Sequence, residues 1–373
     1  VVSAMGGTTD NLLETATQAC KNTLSSEELD DILSMGERTS ARIFAVALKA
    51  QGVKCLYFDP ADPKWPIITD ATFTNAQPMT SLCEKLISEH VSPILEQGTV
   101  VVLPGFIGKT EDGRVTTMGR GGSDTTALIL AQALPADQVI LVTDVEGIMT
   151  ADPKIIKKPR RIGEIDVNQL VGLADSGTKF IHQKALRYKV PSIDIKVIDH
   201  AKGDLKSEGT IIRGGLHSNS VTVERAYPSP AMMVTMVGTA ISESPQILQE
   251  VFQQIKVAKV PILGVSINHN SLILYLPENS PSELLEALHS TVVNYEQTLA
   301  LAVRKNLAFI KVGGVGLEET PGIISKISQA LYSEGINIFG IFTITSSVLV
   351  FVDLKHGEKA VELMQKAIRV SSN

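Results

Sequence analysis

Apolar positions along the chain follow two rhythms. Up to about residue 213, short apolar runs alternate with stretches of helical period. The runs "VKCLYF" (53–58), "GTVVVLPGF" (98–106), "QVILVTDV" (138–145) and "SIDIKVI" (192–198) predict strands. The stretches "SARIFAVALKAQG" (40–52), "SLCEKLISEHVSPILEQG" (81–98) and "DTTALILAQALP" (124–135) predict helices. Such alternation builds an α/β domain, a mainly parallel sheet sandwiched by helices. The opening "VVSAMGG" reads as the end of a buried strand running into a glycine turn, which predicts that N-terminal sequence is missing from this chain. Ligands of parallel sheets sit beyond the carboxyl ends of the strands. There "VVSAMGGTTD", "LPGFIG" and "VTDVEG" carry Gly, Ser, Thr or Asp, so three loops should face one crevice.

The second rhythm is a repeat. Segment 213–233 loses helical periodicity and holds two prolines, which predicts a linker over 214–230. Beyond it, sliding the chain over itself until Pro245 meets Pro321 lays "ESPQILQEVFQQIKVAKVPILGVSINHNSLILYL" on "ETPGIISKISQALYSEGINIFGIFTITSSVLVFV" without gaps. Val260 then matches Ile336, Gly264 matches Gly340 and Leu274 matches Val350. Both copies read as a βαββαβ plan in tandem. The expected organisation is a first domain over 1–213, a repeat over 231–303 and a second over 304–373.

Composition narrows the partners. Of 373 residues, 44% are hydrophobic and 20% charged, as in an ordinary globular chain. A net charge of −6 and a pI near 5.7 argue against nucleic acid. "KIIKKPRR" (154–161), the basic cluster, reads as a solvated loop. No apolar run approaches the ~18 residues of a membrane span, and the start lacks the basic head of a signal peptide. Cys20, Cys55 and Cys83 lie far apart without metal-type spacing, as free thiols do in a reducing, cytoplasmic compartment.

Chemistry concentrates in "TTMGRGGSDTTA" (116–127). Glycines let backbone amides approach a ligand, Ser-Asp-Thr-Thr predicts a side-chain helix cap, and a helix start behind a glycine turn binds anions. Arg120 adds a planar fork suited to a carboxylate. A tight turn capping a helix would explain this stretch alone, but three other segments go with it. "TDVEGIMTADP" (143–153) places Asp144 and Asp152 in a loop after a strand. "SMGERTSARI" (34–43) puts Glu37 and Arg38 at a predicted helix start. "SGTKFIHQKAL" (176–186) supplies Lys179, with His182 read as structural.

Together these segments resemble the aspartokinases of the amino-acid kinase superfamily. The family's "TTLGRGGSD" stands here as "TTMGRGGSD", "VVSAMGGVTN" as "VVSAMGGTTD", "TDVDGIYTTDP" as "TDVEGIMTADP" and "GAKVLHPKAL" as "GTKFIHQKAL". The repeat resembles the family's ferredoxin-like ACT pair, and the likeness spans the whole chain. It implies an amino-acid kinase fold and ATP-dependent phosphorylation of the β-carboxylate of L-aspartate. Arg120 would grip the aspartate α-carboxylate and Glu37 its ammonium, with Ser3, Ala4, Thr9, Ser123 and Asp124 completing the pocket. Gly6, Gly7, Thr143, Asp144, Met149, Asp152 and Lys154 would line the nucleotide. Lys179 and Mg²⁺ would neutralise the ATP phosphates, making Lys179, Asp124 and Arg120 the catalytic set, with no protein metal site.

A lone ferredoxin-like unit leaves a sheet edge exposed, which predicts a homodimer held partly through residues 231–370, either with amino-acid effectors where repeats meet or with both copies serving dimerisation alone; the likeness implies lysine or threonine as effector. Gly322, Asn337, Ile338, Ser346 and Ser347 of the second copy are the expected effector contacts. The first copy has Gln246 and Pro261 at the positions of Gly322 and Asn337, so it should bind poorly. Three departures stand out. The family's opening "KFGG", whose lysine reaches the transferred phosphoryl group, precedes the segment present here; Met149 replaces a tyrosine; Gln183 replaces a proline. Two other classes remain: a kinase for glutamate, acetylglutamate or a nucleoside monophosphate, and a sensor without turnover. Glu37 opposes the acylated and nucleotide substrates, since neither brings an ammonium.

Overall fold

The computed structural model describes residues 1–20, 23–134, 136–174, 181–216, 221–314, 317, 322–344 and 347–369. They fall into two compact units, Val1–Asn219 and Ser220–Asn373.

The first unit has two halves. In one, Cys55–Tyr57 pairs in parallel with Val100–Val102, and Val2 adds a parallel bridge to Pro104. Helix Ser26–Ala50 covers these strands through the fully buried Ala41 and Ala45. It starts well before the predicted residue 40, because a reciprocal cap nucleates its polar front. The Ser25 hydroxyl accepts from Glu28 N–H (3.2 Å), and the Glu28 carboxylate accepts from Ser25 N–H (2.9 Å). The apolar stretch 81–98 is two helices, Thr80–His90 and Ser92–Glu96, because Pro93 cannot continue the first. Strands Ile107–Lys109 and Val115–Thr117 form an antiparallel hairpin that leads into the glycine turn.

The other half is a sheet ordered Gln138–Thr143, Asp194–Asp199, Thr210–Arg213, Glu164–Asp166. Its outer pairs are parallel and its middle pair antiparallel. Helix Gly122–Ala133 joins the halves: Ile129 and Leu130 pack into one core, Leu128 and Ala131 into the other. Cys55 and Cys83 are buried free thiols and Cys20 is half-buried. Among the described residues no helix is long and apolar enough to cross a membrane.

The second unit holds two ferredoxin-like folds, and they are nested rather than strictly consecutive. The first runs Ala231–Gly238, Pro245–Ala258, Gly264–Asn268, Ser271–Pro277, Ser282–Asn294 and the front of Thr298–Gly313. The back of that same 16-residue strand opens the second fold, followed by Ile323–Tyr332, Ile338–Ile344, Ser347–Asp353 and Gly357–Arg369. Its last strand comes from upstream: Thr222–Arg225, inside the segment read as linker, pairs antiparallel with Ile310–Gly313. One continuous strand crosses the expected boundary at 303/304. Tyr275 of the first fold stacks on Phe351 of the second (4.0 Å), and its hydroxyl donates to Phe339 O (2.7 Å).

Candidate active site

Backbone turns meet around the start of helix Gly122–Ala133. Val2 N–H donates to Leu103 O (2.9 Å) and Gly105 N–H to Val2 O (2.8 Å), so the turns at 3–7 and 104–106 run side by side. A side chain at Gly105 would put its Cβ 2.8 Å from Ser123 Cβ, so only glycine lets that turn reach the helix. The N-cap is Gly121, at φ 75°, and no side chain caps the helix. Ser123 and Asp124 instead occupy the first turn, which corrects the expected Ser/Asp cap. The first-turn amides therefore keep no side-chain acceptor, and an incoming anion can take them.

A Cβ on Gly121 would stand 2.3 Å from His182 Cβ. His182 thus serves structure, its backbone packed on the turn and its Nδ1 accepting from Lys184 N–H (3.4 Å). Burial pushes the Asp124 carboxyl up to about 6, partly opposed by a hydrogen bond from the His182 backbone.

Glu37 lies mid-helix, not at a helix start. Gly36 lets Ser26–Ala50 approach the first turn so closely that an added Cβ would be 2.9 Å from Ala4 Cβ. Glu37 is 5% exposed beside it. Burial raises its carboxyl above the usual range, while hydrogen bonds from the backbone of Ala4 and of Glu37 itself pull the other way. Its Oε2 is buried with no hydrogen-bond partner among the described residues. An unpaired buried carboxylate oxygen is costly, and a ligand ammonium would satisfy it. Arg38 is already committed: Nε and Nη2 donate to Asp59 Oδ2 (3.1 Å) and Oδ1 (3.0 Å), and Arg42 Nη2 lies 2.6 Å from Asp59 Oδ2. Ser3 is exposed, and Thr9 is in the first turn of Thr8–Cys20, just after Gly6 and Gly7.

The motif 116–124 divides into a structural half and an open half. The Thr116 and Thr69 hydroxyls are hydrogen-bonded at 2.6 Å, and Thr117 bonds to Asp30 through both N–H (2.8 Å) and Oγ1 (2.6 Å). Arg120 is exposed and makes no hydrogen bond or ion pair among the described residues. Asp30 is fully buried and escaped the sequence reading. The usable signal was its place about two turns before Glu37 on the same helix face.

At the expected nucleotide loop, Thr143 ends its strand, and its hydroxyl donates to the exposed Asp144 (3.1 Å). Met149 bridges Arg161 across a small hairpin. Asp152 accepts from Lys154 N–H (2.8 Å), which commits one carboxylate oxygen to the turn, and Lys154 itself is exposed. Lys179 and Ser346 lie outside the described residues.

Residues 1–199 match the amino acid kinase family and residues 302–366 match the ACT domain. The chain is 30% identical over 385 residues to the aspartokinase of Geobacillus stearothermophilus, covering 98% of this chain and 88% of that one. The chain belongs to the aspartokinases. Among solved structures, an aspartate kinase from Synechocystis matches with a TM-score of 0.76 and 26% identity, over 98% of this chain and 63% of that one. E. coli aspartokinase III in complex with aspartate and ADP matches with a TM-score of 0.50 and 26% identity, over 96% and 80%.

The matched ACT domain contains the expected effector residues. Gly322 caps Ile323–Tyr332 at φ 80° with no side-chain cap. Asn337 is exposed immediately before Ile338–Ile344. Register separates the expected effector contacts, because Ile338 pairs with Val352 while Ile344 pairs with Ser347. Asn337 and Ile338 therefore lie at the opposite end of the hairpin from Ser347, about 20 Å away along the strand.

Asp124 gives a pH prediction. Its folded pKa, about 6, lies above the ordinary carboxyl value of 3.8, so its neutral form is favoured by folding. The linked stability is complete below that unfolded value and is lost as pH rises through the folded one. Asp124→Asn removes this loss, so the stability of the variant relative to wild type should climb between about pH 4 and 7. Urea unfolding at several pH values measures it, and a difference constant with pH would refute the assignment.

Proposed function

We propose that the chain transfers the γ-phosphoryl group of ATP to the β-carboxylate of L-aspartate, giving 4-phospho-L-aspartate. The observation that carries this reading is the buried Oε2 of Glu37 beside the Ala4 turn, which has no hydrogen-bond partner among the described residues and calls for an ammonium. Arg120, without a hydrogen bond or ion pair among the described residues, grips the α-carboxylate, and Ser3, Thr9, Ser123 and Asp124 frame the substrate between the glycine turns. One β-carboxylate oxygen attacks the γ-phosphorus, the bond to the bridging oxygen breaks, and ADP leaves. The reaction asks the protein for positioning and charge neutralisation, with no covalent intermediate on the chain.

Gly6, Gly7, Thr143, Asp144, Met149, Asp152 and Lys154 hold the nucleotide, and neutralising its phosphates falls to Lys179, outside the described residues. Among the described residues no group of three or more His, Cys, Asp or Glu is placed to hold a metal. Mg²⁺ entering with ATP would neutralise the charge of its phosphates. The complex of E. coli aspartokinase III with aspartate and ADP supports the same substrate pair. The product enters synthesis of lysine, threonine and methionine in a reducing cytoplasm, where the buried cysteines remain thiols. An aspartate- and ATP-dependent hydroxamate assay on the intact protein tests the reading; phosphorylation of acetylglutamate or a nucleotide instead would overturn it.

Regulation follows from the ACT unit. One amino acid cannot span the ~20 Å between Asn337 and Ser347 within one chain. We therefore place the effector, lysine or threonine, where the Asn337–Ile338 end of one copy meets the Gly322 end of another in a homodimer. Asn337→Ala should leave uninhibited turnover unchanged and raise the half-inhibitory effector concentration on the order of tenfold, as loss of hydrogen bonding to a charged ligand does. Inhibition curves that superimpose on wild type would remove Asn337 from the site.

A further inference from the structure

We propose that Asp30 is a positioning residue that sets Arg120 against Glu37 for aspartate binding. The inference rests on the aspartate kinase reading and assigns a role to a residue that does not touch substrate.

Asp30 is a carboxylate with no exposed surface, and its partners lie far away along the chain. Its Oδ2 accepts from Thr117 N–H (2.8 Å) and from Thr74 N–H (2.9 Å), and its Oδ1 accepts from the Thr117 hydroxyl (2.6 Å). These two partners flank the arginine turn. Thr117 ends the strand from which Met118, Gly119 and Arg120 emerge. Thr74 forms the wall beneath it: a Cβ on Gly119 would stand 3.0 Å from Thr74 O.

Thr74 also carries backbone strain. Its φ is 66°, a left-handed conformation that a β-branched residue adopts only when its surroundings impose it. A buried charge accepting from its N–H supplies that constraint. Further ties close the frame: Ala76 N–H donates to Thr117 O (2.9 Å), and Lys184 Nζ donates to Met118 O (2.7 Å) and Asn75 Oδ1 (2.6 Å). Arg120 is thus a free guanidinium on a rigid mount, and the mount is bolted to helix Ser26–Ala50 through Asp30.

The same helix carries Glu37 roughly 10 Å further along its axis. One rigid element therefore fixes both ends of an α-amino acid: Glu37 for the ammonium and, through Asp30, Arg120 for the carboxylate. The carboxylate takes the two backbone N–H groups on Oδ2 and the Thr117 hydroxyl on Oδ1. Asparagine would keep the backbone pair at best and replace three charge-assisted bonds by weaker neutral ones.

The test is steady-state kinetics on the intact protein with Asp30→Asn and Thr117→Val, the latter keeping the buried charge and losing only the hydroxyl bond. Asp30→Asn should raise KM for aspartate on the order of tenfold, the worth of one hydrogen bond to a charged group, with KM for ATP and kcat within about twofold. Thr117→Val should shift the same parameter by about threefold and stands in if Asp30→Asn does not fold. On an Arg120→Ala background, Asp30→Asn should raise KM no further, because a residue acting through Arg120 has nothing left to position.

A fall in kcat and Tm with KM for aspartate unchanged would make Asp30 merely structural and overturn the proposal. Additive effects of Asp30→Asn and Arg120→Ala would overturn it too. If wild-type protein phosphorylates no aspartate, the functional reading fails and takes this inference with it. If wild type is active and only the KM shifts are missing, this inference fails alone.

Discussion

Arg120→Ala is expected to raise KM for aspartate by two to three orders of magnitude, corresponding to about 3–4 kcal/mol of lost binding in the ground and transition states. Arg120 makes no ion pair or hydrogen bond among the described residues, so its removal breaks nothing in the free protein. Tm should therefore stay within about 1 °C of wild type, as for a surface substitution. Closure of substrate over the guanidinium would desolvate the pair, and the α-carboxylate would be left uncompensated in the variant. Arg120→Lys should recover little, since an ammonium cannot reproduce a bidentate fork. Steady-state kinetics over a wide aspartate range decide it. A KM less than about threefold above wild type, with turnover intact, would mean that the carboxylate is held elsewhere.

Glu37→Gln should produce opposite effects on binding and stability. Burial raises the Glu37 carboxyl above the ordinary glutamate range. The neutral form is then the one that folding favours. The linked stability is complete below the unfolded pKa and is lost as pH rises through the raised folded value. Burial thus opposes the charged carboxylate, whose Oε2 has no hydrogen-bond partner among the described residues. Glutamine removes that charge, so Tm of the ligand-free variant should rise by roughly 2–4 °C at pH 7 and match wild type in acid. Aspartate binding should fall at least about a hundredfold, because the ammonium loses its counter-charge. Adding aspartate would then stabilise wild type and leave the variant unmoved. Scanning calorimetry with and without aspartate reads both effects. A variant less stable than wild type at neutral pH would show that the buried carboxylate is paired in the free protein.

The two variants report on different parts of the site. Arg120 is exposed and answers only to ligand; Glu37 is buried and answers to folding as well. A strained, unsatisfied group kept for binding is where stability is given up for function.

The amino-acid sequence by itself determined the elements whose cause is local. Buried strands such as Gln138–Thr143 and Asp194–Asp199 announced themselves through continuous apolar runs, and the repeat after residue 231 through matched order and spacing. The glycine turn before Gly122–Ala133 was legible because glycine and arginine carry their chemistry in one short stretch. The capping box at Ser25 and Glu28 was equally local, and it was overlooked because the helix front it starts is polar.

Only tertiary structure decided what depends on partners distant in the chain. Gly121 rather than Ser123 or Asp124 caps the helix, because His182 packs on the turn and leaves room for no side chain. Thr222–Arg225 became a strand because Ile310–Gly313 offers it a free edge, and four residues carry too little period to be read alone. The expected effector residues were adjacent in a list of polar positions, yet strand register sends Asn337 and Ser347 to opposite ends of a hairpin. Asp30 and Glu37 look alike in the sequence, as carboxylates on one amphipathic helix. Folding gives Asp30 the donors of Thr74 and Thr117, and leaves Glu37 with a buried oxygen that has no partner among the described residues.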